Sequence, residues 1–118
     1  MADDTASRFT LGVDHRINGR YDQAEALFKS VLADEPDNAD AHHELGLVYS
    51  FVVHDDCVPE LEHAVRLRPD SVTFLISLAK THTMFGDFDK AKPLFEKILS
   101  IDPFNEEANK NLEYLRMF

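Results

Sequence analysis

The apolar residues between positions 72 and 105 recur at helical spacing in two runs. The first run has one apolar stripe and stops at Gly86, a residue type that ends helices: Leu75, Ile76, Leu78 and Ala79. The second run stops before Pro103, and its apolar residues share one helix face: Phe88, Ala91, Leu94, Phe95, Ile98 and Leu99. Asp87 lies between the runs and can cap the second helix with its side chain. The pattern predicts a helix–turn–helix unit.

The same two-helix pattern occurs three times along the chain at a nearly constant interval. Pro36, Pro69 and Pro103 follow the second helices, and the two intervals between them differ by a single position. A leucine followed by a small residue marks the first helices: Leu11-Gly12, Leu45-Gly46 and Leu78-Ala79. Two independent markers therefore predict three repeats, over residues 5–38, 39–71 and 72–105, of which the middle one is a residue short.

A further helix is predicted after the third repeat, over residues 106–118. Asn105 is a good N-cap, and Ala108, Leu112 and Leu115 form an apolar stripe. Such a helix covers the apolar face that the last repeat would otherwise expose. With residues 1–4 as an N-terminal tail, the sequence predicts an all-α fold of seven helices in a single domain over residues 1–118.

These repeats resemble the tetratricopeptide repeat (TPR) family. Its signature runs Leu-Gly, Tyr, Ala, aromatic and Pro over about 34 residues. The first repeat supplies Leu11-Gly12, Tyr21, Ala24, Phe28 and Pro36. The chain departs from the family in having no Trp, and its turn at residues 51–57 has no glycine. The resemblance implies a right-handed α-solenoid whose first helices line a concave groove for a peptide or a helix.

The register of the resemblance also implies which residues line that groove: Phe9, Val13, Ile17, His43, Leu47, Phe51, Ile76, Lys80 and Met84. Most are apolar, which favours an apolar peptide or an amphipathic helix as partner. The alternative without a binding role is that some of them, Val13 and Leu47 especially, only pack between neighbouring helices. A second alternative is a homo-oligomer that forms through the same groove or through the tail Met117-Phe118.

One version of the family groove clamps the C-terminal carboxylate of chaperones with Lys, Asn and Arg side chains. At the matching positions this chain has Phe9, Val13, Glu44, Thr73 and Ser77. An acidic chaperone C-terminal tail is therefore not expected as the partner, because the clamp residues are missing and Glu44 would repel it.

The net charge of the chain further limits the classes of partner that are expected. The chain has 22 acidic and 12 basic residues, a net charge of −10, which disfavours nucleic acid and anionic membrane surfaces. The acidity either serves solubility alone or attracts a basic partner. No apolar run is long enough for membrane insertion. With one cysteine and no secretory signal at the start, the sequence is expected to be cytoplasmic.

No constellation of residues argues for an enzyme. The sequence has neither a Gly-x-Ser-x-Gly elbow nor a glycine-rich phosphate loop. The densest group of metal-ligating residue types is His54-Asp55-Asp56-Cys57, but consecutive residues rarely converge on one ion. Cys57 is expected to be a small buried thiol. The sequence therefore predicts no catalytic residue, no metal and no cofactor.

Overall fold

The computed structural model describes residues 4–118, and within that range the chain forms seven α-helices and no strand. In chain order these are α1 (Thr5–Ile17), α2 (Tyr21–Asp34), α3 (Ala39–Phe51), α4 (Cys57–Leu67), α5 (Val72–Met84), α6 (Phe88–Ile101) and α7 (Glu106–Leu115). The predicted all-α fold is confirmed. None of these seven helices is both long and apolar enough to cross a membrane.

The predicted N-terminal tail covered residues 1–4, and residues 1–3 of it lie outside the described residues. Asp4 is the N-cap of α1, since its side chain accepts a hydrogen bond from the Ser7 backbone N–H at 2.7 Å. Three later N-caps are related by the repeat, and their side chains accept from the backbone three residues on: Asn38, Ser71 and Asn105. The predicted cap at Asn105 is confirmed.

The helices fall into two compact units, one ending at Leu67 and the other running from Arg68 to Phe118. In the first unit α2 packs against α1 and α3, and α3 packs against α4. In the second unit α6 packs against both α5 and α7. The single domain over residues 1–118 stays a prediction.

Both glycines of the Leu-Gly marker lie where two helices of one repeat come very close. A Cβ atom at Gly12 would lie 2.7 Å from Cε1 of Phe28, and one at Gly46 would lie 2.7 Å from Cγ of Leu61. Phe28 and Leu61 are fully buried. These glycines therefore set how closely α1 approaches α2 and α3 approaches α4.

The turns inside the three repeats share the same hydrogen-bond pattern. Backbone N–H groups of Arg20, His54 and Asp87 donate to the carbonyl five residues earlier, each at 2.8 Å. This pattern needs a left-handed residue just before the donor, where glycine is preferred. Gly19 (φ 77°) and Gly86 (φ 79°) fill that position in the first and third repeats, which confirms Gly86 as a helix stop. In the second repeat the residue is Val53, with φ 53°.

The prediction that the Asp87 side chain caps α6 is wrong. Asp87 is the N-cap residue, but its side chain makes no capping hydrogen bond. Its ψ is 63°, whereas the three side chains that do cap at the repeat boundaries belong to extended residues with ψ between 99° and 112°. The tight turn from Gly86 holds the backbone away from the extended conformation that a capping side chain needs.

Candidate functional site

The first helix of every repeat ends in an exposed apolar residue. Ile17 ends α1, Phe51 ends α3 and Met84 ends α5, so the three occupy one position of the repeat. Their side chains are 68%, 57% and 53% exposed. Contiguous exposed apolar patches mark binding surfaces, and of these three residues Ile17 and Phe51 belong to the same unit.

The other apolar residues predicted for the groove of the first unit are less accessible. Phe9 is half-buried, with its ring centroid 5.7 Å from that of Phe28. Val13 packs against the same core and Leu47 is also half-buried. Phe9 and Val13 therefore contribute to the packing of α1 as well as to its surface.

The polar residues on this face of the first unit are His43, Arg16 and Glu44. His43 is 7% exposed, and burial, aided by the positive charge of Arg16 and opposed by Asp40, lowers its pKa to about 4. His43 is thus neutral near pH 7. Arg16 pairs through Nε with Oε1 of Glu44, which ties α1 to α3. Glu44, at a position of the chaperone clamp, is therefore already paired.

In the second unit the three predicted groove residues differ in exposure. Ile76 is half-buried, whereas Lys80 and Met84 are exposed. The Lys80 Nζ atom lies 2.7 Å from Glu107 Oε1, so the lysine joins α5 to α7. Met84 is thus the most accessible apolar member of the predicted set in this unit.

The exposed apolar surface of the first unit continues past Phe51 into the turn, which the sequence analysis missed. Val52 is 49% exposed and Val53 is 63% exposed. The ring of Tyr21 stacks on that of Phe51, with centroids 5.7 Å apart and planes 17° apart. We call Ile17, Tyr21, Phe51, Val52 and Val53 the turn patch. The run Phe51-Val52-Val53 in a turn without glycine is the signal that could have found it.

A shallow pocket lies beside Phe9, where α1 faces the loop between the first two repeats. Its lining combines small polar side chains with two carboxylates: Thr5, Ala6, Phe9, Thr10, Glu35, Asn38 and Asp40. Hydrogen bonds from Thr5 at 2.7 Å and Asn38 at 2.9 Å lower the pKa of Glu35. The pocket is therefore acidic and suits a cation better than a carboxylate.

The negative charge of the chain is concentrated in the first unit. Residues 1–67 contain 14 acidic and five basic residues, a net of −9, and residues 68–118 contain eight acidic and seven basic residues, a net of −1. Four of the five basic residues in the first unit pair with carboxylates of the same unit: Arg8 with Asp34, Arg16 with Glu44, Arg20 with Asp14 and Lys29 with Glu25. The remaining carboxylates leave this unit strongly anionic.

The cysteine and the histidine considered as metal ligands in the sequence are buried or make other contacts. Cys57 is fully buried, and burial raises the pKa of its thiol. The His54 ring stacks on Tyr49, with centroids 4.6 Å apart. Between residues 4 and 118, no three side chains of His, Cys, Asp or Glu are grouped so that they could hold a metal ion.

Comparison with known proteins identifies the repeats. A family model described as TPR repeat matches residues 12–50, and one described as Tetratricopeptide repeat matches residues 72–105. The Hsp70-Hsp90 organizing protein of Triticum aestivum is 29% identical over 95 residues, which are 80% of this chain and 16% of that protein. Protein O-mannosyl-transferase TMTC3 of Homo sapiens is 30% identical over 113 residues, which are 92% of this chain and 12% of that protein.

The chain thus spans only a small part of either relative. Among solved structures, the first TPR of Spaghetti (RPAP3) bound to HSP90 peptide SRMEEVD is similar in fold, with a TM-score of 0.90 and 18% identity. The similarity covers 96% of this chain and 90% of that one. The signature residues recur in register, and the paired helices share one turn geometry. Together with both family-model matches, these features show that this chain belongs to the tetratricopeptide repeat family.

Proposed function

We propose that the chain is a non-catalytic protein-binding module, an adaptor that holds an apolar peptide or an amphipathic helix against the first helices of its repeats. The observation that carries this proposal is the exposed apolar residue at the end of each first helix, namely Ile17, Phe51 and Met84. Burial of the remaining exposed surface of one such side chain by a partner stabilises a complex by about 1–2 kcal/mol. Ile17 and Phe51, both in the first unit, provide anchors of the kind that dominate binding energies.

Acidic chaperone tails are not the ligand in this proposal. The wheat relative organises Hsp70 and Hsp90 by its name, and the similar solved structure holds the acidic peptide SRMEEVD. In the present chain the cation Arg16 is already occupied by Glu44, and the first unit has a net charge of −9. Since like charges repel, we expect no binding of the peptide SRMEEVD in a calorimetric titration; saturable binding would overturn this part of the proposal.

Affinity capture with a matched pair of variants tests the binding role. Phe51→Glu places a charge among the exposed apolar residues of the first unit, whereas Phe104→Glu makes the same change at a residue that is 90% exposed between α6 and α7. We expect the wild type and Phe104→Glu to capture the same proteins from the native cell, and Phe51→Glu to fail to capture them. Equal capture by both variants would refute the proposal, provided that circular dichroism shows both to be folded.

A self-associating scaffold is the second candidate. Leu11 is 47% exposed, although the leucines at the same position of the next two repeats, Leu45 and Leu78, are 2% and 4% exposed. Met117 and Phe118 are also largely exposed. These surfaces could join copies into a homo-oligomer. Light scattering at two concentrations separates the candidates, because a mass that stays monomeric at both rules out the scaffold.

A cytoplasmic setting and the absence of a cofactor complete the proposal. Cys57, the one cysteine of the sequence, is fully buried as a thiol, which fits a reducing compartment. Metal analysis of the purified protein checks the cofactor expectation, since a stoichiometric metal would contradict it.

A further inference from the structure

We infer that the turn patch binds a positively charged amphipathic segment of a partner protein. The inference rests on the proposed function, and it adds the chemistry of the partner and the surface of first contact. Three observations in the first unit carry it: exposed apolar residues at two turns that a ring stack connects, an excess of carboxylates and a valine held in a backbone conformation suited to glycine.

The apolar centre of the turn patch is built by two turns. Phe51 is the last residue of α3 and Val53 lies in the turn after it, whereas Ile17 and Tyr21 flank the turn that follows α1. The stacked rings of Tyr21 and Phe51 connect these turns. Ile17, Phe51, Val52 and Val53 are each about half exposed or more, so their apolar surface meets solvent. Such a surface suits the apolar face of a helix or a short apolar segment.

The negative charge around the turn patch favours a positively charged partner. Asp22 follows Tyr21 directly, and Asp55 and Asp56 follow Val53 within three residues; all three are exposed. The cations of this unit that are in pairs already hold other carboxylates, namely Asp14, Glu25, Asp34 and Glu44. A partner with Lys or Arg around an apolar stripe would complement this anionic unit, because opposite potentials favour association. A second copy docked patch to patch would bring together two units of net charge −9, which opposes a symmetric dimer.

Val53 supports the role of the patch in binding. Glycine fills the equivalent position in the other two repeats, at Gly19 and Gly86, with nearly the same hydrogen bonds around it. A β-branched residue at φ 53° is strained, and yet its side chain is 63% exposed and gains little from packing within the chain. Strain of this kind is typical of functional sites. Burial of the exposed isopropyl group by a partner accounts for a valine at this position.

The test is an NMR titration of the full chain with two synthetic helical peptides. One has Leu on one face and Lys on the other, and its twin has Glu in place of Lys. We expect the Leu/Lys peptide to shift the resonances of the turn patch, to bind about tenfold or more tightly than its twin, and to weaken as salt is added. Equal binding of both peptides, or no binding of either, overturns the inference.

The location of the shifts is equally decisive. Shifts that centre on the pocket beside Phe9 and leave Val53 unchanged would overturn the turn patch as the contact surface. If the resonances of the turn patch shift with protein concentration when no peptide is present, the turn patch would instead be the contact surface for a second copy of the chain. If both peptides bind equally but neither binds Phe51→Glu, the charge inference fails and the proposed function stands. Equal capture by Phe51→Glu and Phe104→Glu is the separate result that refutes the proposed function.

Substitutions at Val53 separate contact from strain. Val53→Gly is expected to bind the Leu/Lys peptide about fivefold more weakly, because the side chain that the peptide would cover is lost. It should also melt a few degrees higher, because the strain is relieved. Val53→Ala removes the contact but keeps the unfavourable φ, so it should bind weakly without that gain in melting temperature. Phe104→Ala is the control and should change neither affinity nor the shifts at the turn patch. Unchanged affinity in Val53→Gly would contradict the inference.

Discussion

Gly46→Ala is expected to destabilise the protein, although alanine is the better helix former. Gly46 lies inside α3, where the change should gain about 1 kcal/mol of helix propensity. The added Cβ atom would lie 2.7 Å from both Cγ and Cδ2 of Leu61, whereas carbon atoms normally pack at about 3.5–4.0 Å. One or both of the helices that meet there must therefore shift.

The magnitude depends on how far Leu61 can yield. Its side chain is fully buried, and its backbone nitrogen would lie 3.3 Å from the new Cβ atom, so rotation of the side chain alone does not remove the contact. Overpacking of this kind costs about 1–3 kcal/mol. Because the Leu61 backbone also blocks the new Cβ atom, we place the cost in the upper half of this range, at about 2–3 kcal/mol. After the gain of about 1 kcal/mol in propensity, we expect a net loss of about 1–2 kcal/mol, or a melting temperature lower by roughly 4–8 °C.

Urea and thermal unfolding followed by circular dichroism measure this loss. Gln23→Ala, on an exposed face of α2, is the control for a helix substitution without a clash and should stay within about 0.5 kcal/mol of the wild type. Ala79 fills the same position in the third repeat and is fully buried, so Ala79→Gly should also destabilise. A Gly46→Ala protein as stable as the wild type would refute the reasoning that close helix approach requires this glycine.

Two further predictions concern the first unit. Because the pKa of His43 is about 4 in the folded chain and about 6.5 when unfolded, the contribution of His43 to stability should be constant above about pH 6.5 and fall towards pH 4, by roughly 3 kcal/mol in total. His43→Gln should lack this component in urea unfolding; a pH-independent difference from the wild type would contradict it. Asn38→Ala removes the N-cap bond to the Ala41 N–H, 2.9 Å long, and should cost about 1 kcal/mol, with an unchanged unfolding midpoint as the contrary result.

The sequence was sufficient for the helices because packing imposes the repeat directly on residue type. Gly12 and Gly46 are small because Phe28 and Leu61 occupy the space where a Cβ atom would lie. Gly19 and Gly86 are present because the turn needs a left-handed residue. Requirements of this kind favour a small residue at the first position and glycine at the second, although Val53 takes the second position in the middle repeat. Because the pattern occurs three times, its spacing can be read from a single sequence.

The surface was harder to predict because helical register gives the face of a residue but not its depth. Phe9 and Ile17 share a predicted face, yet Phe9 packs against Phe28 while Ile17 is 68% exposed at the helix end. Val53 was missed for another reason: a turn that looked irregular without glycine keeps the hydrogen bonds of the other two turns. The ion pair between Arg16 and Glu44 joins residues far apart in the sequence and depends on how α1 lies beside α3.

The most direct test of the central claim is a calorimetric titration of a purified partner, identified by affinity capture, against the wild type, Phe51→Glu and Phe104→Glu. Loss of a buried aromatic anchor and burial of a charge should each cost more than about 1 kcal/mol, so binding to Phe51→Glu should weaken at least tenfold. We predict that wild type and Phe104→Glu bind with equal affinity. Equal affinity of Phe51→Glu and the wild type would contradict the claim that this chain binds proteins through the exposed apolar ends of its first helices.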